Sequence, residues 1–197
     1  QALHAWFAHV PGLRVVMPTT VADARDLLIA SVLCPDPVMY IDDRWLYEQE
    51  DDLPPVIELN LSDQRPRVTQ SGSDITIVGS GHASLLARNA AIILKNDKIS
   101  AEVIDVRVLN PFHVDEIISS VKKTKNILVV DSGTLTAGFS AEIIAKVVER
   151  LPVDCLNNRP MRIALPDAPA PTSRVLEKDY YLYAEDVINA VKKVLQS

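Results

Sequence analysis

The sequence predicts an α/β fold with a mostly parallel sheet covered on both faces. Two patterns carry this. Short, almost unbroken apolar runs such as Ile75–Val78 and Ile127–Val130 leave no polar face for solvent, as strands buried on both sides require. Between them, apolar residues recur at i, i+3, i+4 and i+7, the period of an amphipathic helix. Composition agrees: of 197 residues, 48% are hydrophobic and 23% charged, enough to bury a sizeable core.

In chain order, residues 2–10 predict a helix with Leu3, Trp6, Phe7 and Val10 on one face, stopped by Pro11-Gly12. Arg14–Met17 is a short buried strand. Thr20 caps a second helix, with Asp23 three residues on as a variant capping box and a stripe of Val21, Ala24, Leu28 and Val32. Pro35-Asp36-Pro37 ends it, and Val38–Ile41 is a strand. From Asp42 to Ser73 the pattern turns acidic, then Pro-rich and polar, an irregular segment that sets a domain boundary. Beyond it, strand and helix alternate. Strands are expected at 74–79, 101–106, 127–130 and 161–164, and helices at 83–96, around Val114, Ile117, Ile118 and Val121, around Ile143, Ile144, Val147, Val148 and Leu151, and around Val187, Val191, Val194 and Leu195.

Several function classes are excluded or weakened. The net charge is −6 and no long basic run exists, which argues against a grip on nucleic acid. No apolar run reaches the roughly 20 residues of a membrane helix, and no signal peptide is evident. Two distant cysteines, Cys34 and Cys155, fit a reducing compartment such as the cytoplasm, not a disulfide framework. The chain starts with Gln, as a piece of a longer protein would.

Candidate chemistry is sparse. Gly79-Ser80-Gly81 sits where a strand opens into a helix, the place of a dinucleotide turn, but Ser84 replaces the third glycine; Glu102 or Asp105 would be the acid about 20 positions on. A tight turn that only glycine allows is the simpler reading. His4 and His9 lie roughly 140° apart on a helix and cannot share a metal. His82 and His113 stand at helix starts, where accepting a backbone N–H is the plain explanation. Asp131-Ser132-Gly133 ends a strand, where parallel sheets place ligands, although a satisfied loop aspartate is the simpler reading. The small residues of Thr136–Glu142 allow close packing, or an anion on free N–H groups. Trp6, Phe7, Trp45 and Tyr47 read as core or interface. Arg44, at the carboxyl end of a strand, could meet an anionic substrate group or lie on the surface. No zinc spacing and no Gly-x-Ser-x-Gly elbow occurs.

The run from Gln1 to Pro18, Asp23–Leu28, Pro35–Pro37, Gly72–Val78, Glu102–Arg107, Leu109–Pro111, Gly138–Ile143 and Pro166–Pro171 together resembles one family, in the right order across almost the whole chain. It is the beta subunit of the thiamine-dependent component of 2-oxo acid dehydrogenases (pyruvate, branched-chain and acetoin types), within the transketolase superfamily. The resemblance implies that residues 1–60 are the end of a pyrimidine-binding domain with its linker. Residues 61–197 would be a transketolase C-terminal domain, a three-layer α/β unit that helps build a dimer and carries no cofactor contact. The parent would use thiamine diphosphate and magnesium to decarboxylate a 2-oxo acid and pass the acyl group to a lipoyl-bearing acyltransferase component. The implied partners are a homodimer or an alpha–beta assembly, with no nucleic acid and no membrane.

The family's histidine lies in a His-Ser-Gln run whose Gln matches Gln1, so no catalytic residue is expected within the chain. Arg44 matches a basic residue near the substrate channel. Ser31, Cys34 and Asp36 match a loop that binds potassium in some beta subunits, through oxygens suited to a hard cation. Two departures stand out: Asp131-Ser132 where the family reads His-Glu, and Ala137-Gly138-Phe139 where it reads Gly-Gly-Phe. These keep open a transketolase-like or deoxyxylulose-phosphate-synthase-like transferase; separate alternatives are a non-catalytic assembly module and a nicotinamide enzyme using the Gly79 turn.

Overall fold

The structure, a computed structural model, describes residues 2–196. A five-stranded sheet forms its centre, in the order β3 (Arg67–Gln70), β5 (Ala101–Asp105), β4 (Ile75–Gly79), β7 (Ile127–Thr134), β8 (Met161–Leu165). All pairs are parallel except β3 with β5. Ile75, Ile77, Val103, Leu128 and Val130 face α3 (His82–Leu94) and α7 (Ala184–Leu195). Val78, Ile104, Ile127 and Val129 face the other way, against α4 (Asp115–Thr124) and α5 (Phe139–Arg150). Helices on both faces of a buried, mostly parallel sheet are the predicted three layers.

A second sheet has three strands in the order β2 (Val38–Tyr40), β1 (Arg14–Val16), β6 (Val108–Asn110). Its strand β6 follows β5 closely in sequence but pairs antiparallel with β1. The amide of Met17 adds a bond to the Arg107 carbonyl at 2.9 Å. The amino-terminal strands are therefore stitched to the segment that leaves the large sheet. Helix α1 (His4–Ala8) packs on one side of β1, and α2 (Val21–Leu33) on the other, where Leu27 and Ala30 meet Val16, Leu61 and Val108.

The stripes expected of α4 and α7 are observed: Ile117, Val121, Val187, Val191 and Val194 are at most 1% exposed. In α5, Ile143, Val147 and Leu151 are buried but Val148 faces out. Two helices present the opposite face to that expected. In α1, Leu3, Trp6 and Val10 are exposed and His4 is buried; only Phe7 of the expected face is partly covered. In α2, Leu28 and Val32 face out, while Asp23, Asp26, Leu27 and Ala30 are buried. Both reversals have one cause: a polar side chain with a dedicated partner takes the inward position. The Thr20 cap is present, accepting the Asp23 amide at 3.1 Å, and the Asp23 carboxylate returns to the Thr20 hydroxyl rather than to its backbone.

Between Asp42 and Pro66 the chain makes only two short 3-10 turns, at Arg44–Leu46 and Leu61–Asp63. Three elements went unforeseen: β3, β6 and α6 (Arg174–Tyr180). No helix among the described residues is long and apolar enough to cross a membrane.

Candidate functional site

The Gly79-Ser80-Gly81 turn carries the chain from β4 into α3. Gly81 has φ +53°, a conformation that favours glycine, and a Cβ there would stand 2.7 Å from the Cε at the end of the Met17 side chain. Gly79 lies so close to the Ala83–Ser84 backbone that a Cβ would meet it at 2.9 Å. The helix start attracts negative charge, and the protein supplies its own. The His82 amide donates to the Asp43 carboxylate at 3.2 Å, while the other Asp43 oxygen accepts the Trp45 amide at 3.1 Å. Asp43 thus stands where a nucleotide phosphate would sit. The two acids foreseen for a ribose are engaged in the core: Glu102 with Lys123, and Asp105 with Thr19.

The 3-10 turn that follows Asp43 builds one side of a cavity of about 590 Å³. Trp45 stacks on the His82 ring with centroids 5.2 Å apart and meets Tyr181 edge-on at 5.5 Å. Burial holds the His82 imidazole below its ordinary pKa, against an upward pull from Asp43, so the stacked ring is neutral at pH 7. Met17, Ile41 and Phe7 come from the amino-terminal side; Leu86, Ser132 and Leu165 come from the large sheet and its helices. Arg44 lines this cavity, exposed and with Asp42 and Asp43 beside it. Tyr47 donates its hydroxyl to Asp42, which raises the phenol pKa. Trp45 and Tyr47 are surface residues, not core.

A second carboxylate caps a second helix. Asp131 ends the apolar part of β7 and is 5% exposed. One of its oxygens accepts the Gly133 amide at 2.8 Å and His4 Nε2 at 2.9 Å; the other accepts the Ser140 amide, at the start of α5, at 2.8 Å. Burial pushes this carboxyl up, but the bonds from His4, Gly133 and Ser140 outweigh it and hold it below the usual carboxylate range. The anion place expected near Thr136–Glu142 is therefore filled by Asp131, the satisfied loop aspartate. Sequence reading missed its partner, His4, because 127 residues separate the two. His9 is exposed. Neither His82 nor His113 caps a helix with its ring, contrary to expectation: Asp43 caps α3, and α4 has no side-chain cap.

The loop after α2 brings Ser31, Cys34 and Asp36 together in sequence only as far as a turn. The Cys34 amide donates to the Ser31 carbonyl at 3.4 Å. Asp36 Oδ2 accepts two N–H bonds from Arg14, at 2.9 and 2.7 Å. Among the described residues no group of three His, Cys, Asp or Glu side chains could hold a metal ion. Gln1 lies outside the described residues.

A parallel sheet with an antiparallel edge strand, helices on both faces and a second small sheet stitched to it through β6 defines the class. The chain belongs to the family described as transketolase, C-terminal domain, which matches residues 65–187. Along almost its full length it is similar to beta subunits of the pyruvate dehydrogenase E1 component: 35% identical over 194 residues to that of Rhizobium meliloti, covering 98% of this chain and 42% of that protein. The mitochondrial subunit of Dictyostelium discoideum is 34% identical over 203 residues, covering 100% and 56%. A mitochondrial 2-oxoisovalerate dehydrogenase subunit beta 2 of Arabidopsis thaliana is 37% identical over 150 residues, covering 76% and 42%. The chain spans about half the length of the curated relatives it matches. A solved split-gene transketolase, described as an inactive beta4 tetramer, shares the fold with a TM-score of 0.80 at 24% identity, over 98% of this chain and 61% of that one.

Proposed function

We propose that this chain forms the carboxyl-terminal part of a beta-type subunit of a thiamine diphosphate-dependent 2-oxo acid dehydrogenase. On this reading residues 1–60 end a pyrimidine-binding domain and residues 61–197 are the transketolase C-terminal domain. One observation carries it: the similarity to such a subunit extends over 98% of the chain at 35% identity. The parent would decarboxylate a 2-oxo acid and hand the acyl group to a lipoyl-bearing component, in a homodimer or alpha–beta assembly. The two free cysteines suit a reducing compartment such as the cytoplasm.

Thiamine diphosphate supplies an electron sink for decarboxylation. The described residues do not fit that group: Asp43 and Asp131 already occupy the α3 and α5 N-termini, and no side-chain metal cluster exists among them. The diphosphate and magnesium are assigned to other parts of the parent, and these residues supply walls and contacts.

Arg44 is the substrate-facing group: a guanidinium at the mouth of the cavity, able to pair with a substrate carboxylate. In the intact polypeptide, assayed with thiamine diphosphate, magnesium and a panel of 2-oxo acids, Arg44→Ala is expected to raise KM about tenfold or more with a smaller change in kcat. An unchanged KM removes Arg44 from this role. No carbon dioxide release from any 2-oxo acid, with ketose-phosphate transfer instead, would move the assignment to the transketolase-like alternative. The potassium loop is proposed on three oxygens: the Ser31 and Cys34 carbonyls and the Asp36 carboxylate, whose Oδ2 is shared with Arg14. Exchange of potassium for sodium is expected to lower the thermal midpoint, and Asp36→Asn to abolish that difference; identical midpoints in the two salts exclude the site.

A further inference from the structure

We propose that Asp105 is a proton-operated latch on the seam between the three-stranded and five-stranded sheets, holding the seam most tightly when it carries a proton. The proposal goes beyond the assigned chemistry and does not depend on it. Asp105 is the last residue of β5 and is 0% exposed. Its Oδ1 accepts the Thr19 hydroxyl at 2.8 Å. Its Oδ2 is buried with no hydrogen-bond partner among the described residues, and stands 3.9 Å from the Arg67 guanidinium. Asp23, on α2, shares the cluster, with one oxygen accepting from Thr20 and Arg67 and the other from Arg107 at 3.0 Å. The Arg107 Nε is likewise buried without a partner.

Two carboxylates and two guanidiniums are thus gathered from α2, β3 and the segment leaving β5. A proton placed on Asp23 must displace a guanidinium or a hydroxyl, whereas one placed on Asp105 Oδ2 breaks no bond. Charge in a buried site that lacks a full set of donors is costly, so Asp105 is the group on which a proton settles. Burial pushes its carboxyl up to about 6; Thr19 pulls it down, Asp23 adds to the rise, and Arg67 and Arg107 oppose it. On α2, Arg25 pairs with Asp26; Tyr40 of β2 donates its hydroxyl to the Ala24 carbonyl and is pushed up to about 12, so it stays neutral.

The sign follows from linkage. The closed seam holds its proton more strongly than an open one, in which Asp105 returns to 3.8. Closure is therefore favoured below about pH 4, loses that advantage as pH rises toward 6, and carries the full cost of the buried charge above it. The consequence reaches the cavity. Thr19 lies two residues past Met17, whose amide crosses the seam to Arg107 and whose side chain packs on Gly81 at the start of α3. Met17 and Ile41 form one cavity wall, His82 and Leu86 the other, so the latch governs how firmly the two walls are held.

Amide exchange of Met17 on the full chain, corrected for the intrinsic pH dependence, tests this. Between pH 4.5 and 7.5 the opening constant is expected to rise at least tenfold, about a hundredfold at most for a two-unit shift, and Asp105→Asn to flatten the rise. A carboxyl-carbon titration of the unaltered protein should place Asp105 near 6. A midpoint at or below 4, or the same pH dependence in the Asp105→Asn variant, overturns the proposal. Should that variant not fold, the titration of the unaltered chain decides alone.

Discussion

Ala137 holds φ +54° in the exposed turn before α5, a left-handed conformation that a Cβ disfavours by about 1–2 kcal/mol. The resembling family places glycine there. Ala137→Gly is therefore expected to stabilise the chain by about 1 kcal/mol in urea unfolding, in spite of the greater entropy of glycine in the unfolded chain. A loss of stability would show the strain to be absent. Six residues earlier, Asp131 works in the opposite sense. Its carboxyl is held below its ordinary pKa by His4, Gly133 and Ser140, so its contribution is present above about pH 4 and fades as pH falls through the folded value. Asp131→Ala, which leaves His4 and two amides unpartnered, is expected to cost about 3 kcal/mol at pH 7 and clearly less at pH 3. Equal losses at both values would contradict the assignment of charge. Asp131 was legible in the sequence as a strand-end acid satisfied by its loop. His4 was not, because nothing local distinguishes a histidine that meets an aspartate 127 residues away.

At the scale of elements, α2 shows where periodicity misleads. Its outward face carries Leu28 at 47% and Val32 at 77% exposure, and its inward face carries Asp23 and Asp26 beside Leu27. Hydrophobic patterning assigns acids to solvent, yet here an ion cluster with Arg67 and Arg107 is the inner contact. Leu27→Ala is expected to cost about 3 kcal/mol, from lost burial and a residual cavity. Val32→Lys should change the unfolding free energy of this chain by no more than about 0.5 kcal/mol. If both cost alike in chemical denaturation, the orientation of α2 is wrong. Helices α4 and α7 were read correctly because both lie on the large sheet with water behind them, the situation the pattern describes. The strands β3 and β6 escaped notice for different reasons. Arg67, Thr69 and Gln70 make β3 a polar edge strand that resembles linker, and β6 has only three residues, paired with a strand more than 90 positions earlier.

At the scale of the molecule, the fold class was legible because it depends on repetition: buried strand, amphipathic helix, again. The stitching of the two sheets was not, since it rests on β6 and on the buried carboxylates of Asp23 and Asp105 with the partly exposed Arg67 and Arg107, none of which has a periodic signature. The same holds for the cavity. Arg44 was singled out from its place after a strand, but His82 and Tyr181, which meet the adjoining Trp45, come from segments far away in sequence. Both helix N-termini that the sequence offered as anion sites are capped by the chain's own carboxylates, Asp43 and Asp131. On the proposed reading, this chain supplies walls and contacts, and the cofactor chemistry falls to the rest of its parent. Calorimetric titration with magnesium and thiamine diphosphate, run in parallel on the 197-residue chain and on the intact polypeptide with its assembly partner, tests this most directly. No binding heat is expected from the chain alone, and saturable binding with carbon dioxide release from a 2-oxo acid is expected in the intact assembly. Saturable binding to the chain alone, or an intact assembly that binds no thiamine diphosphate, would contradict that reading.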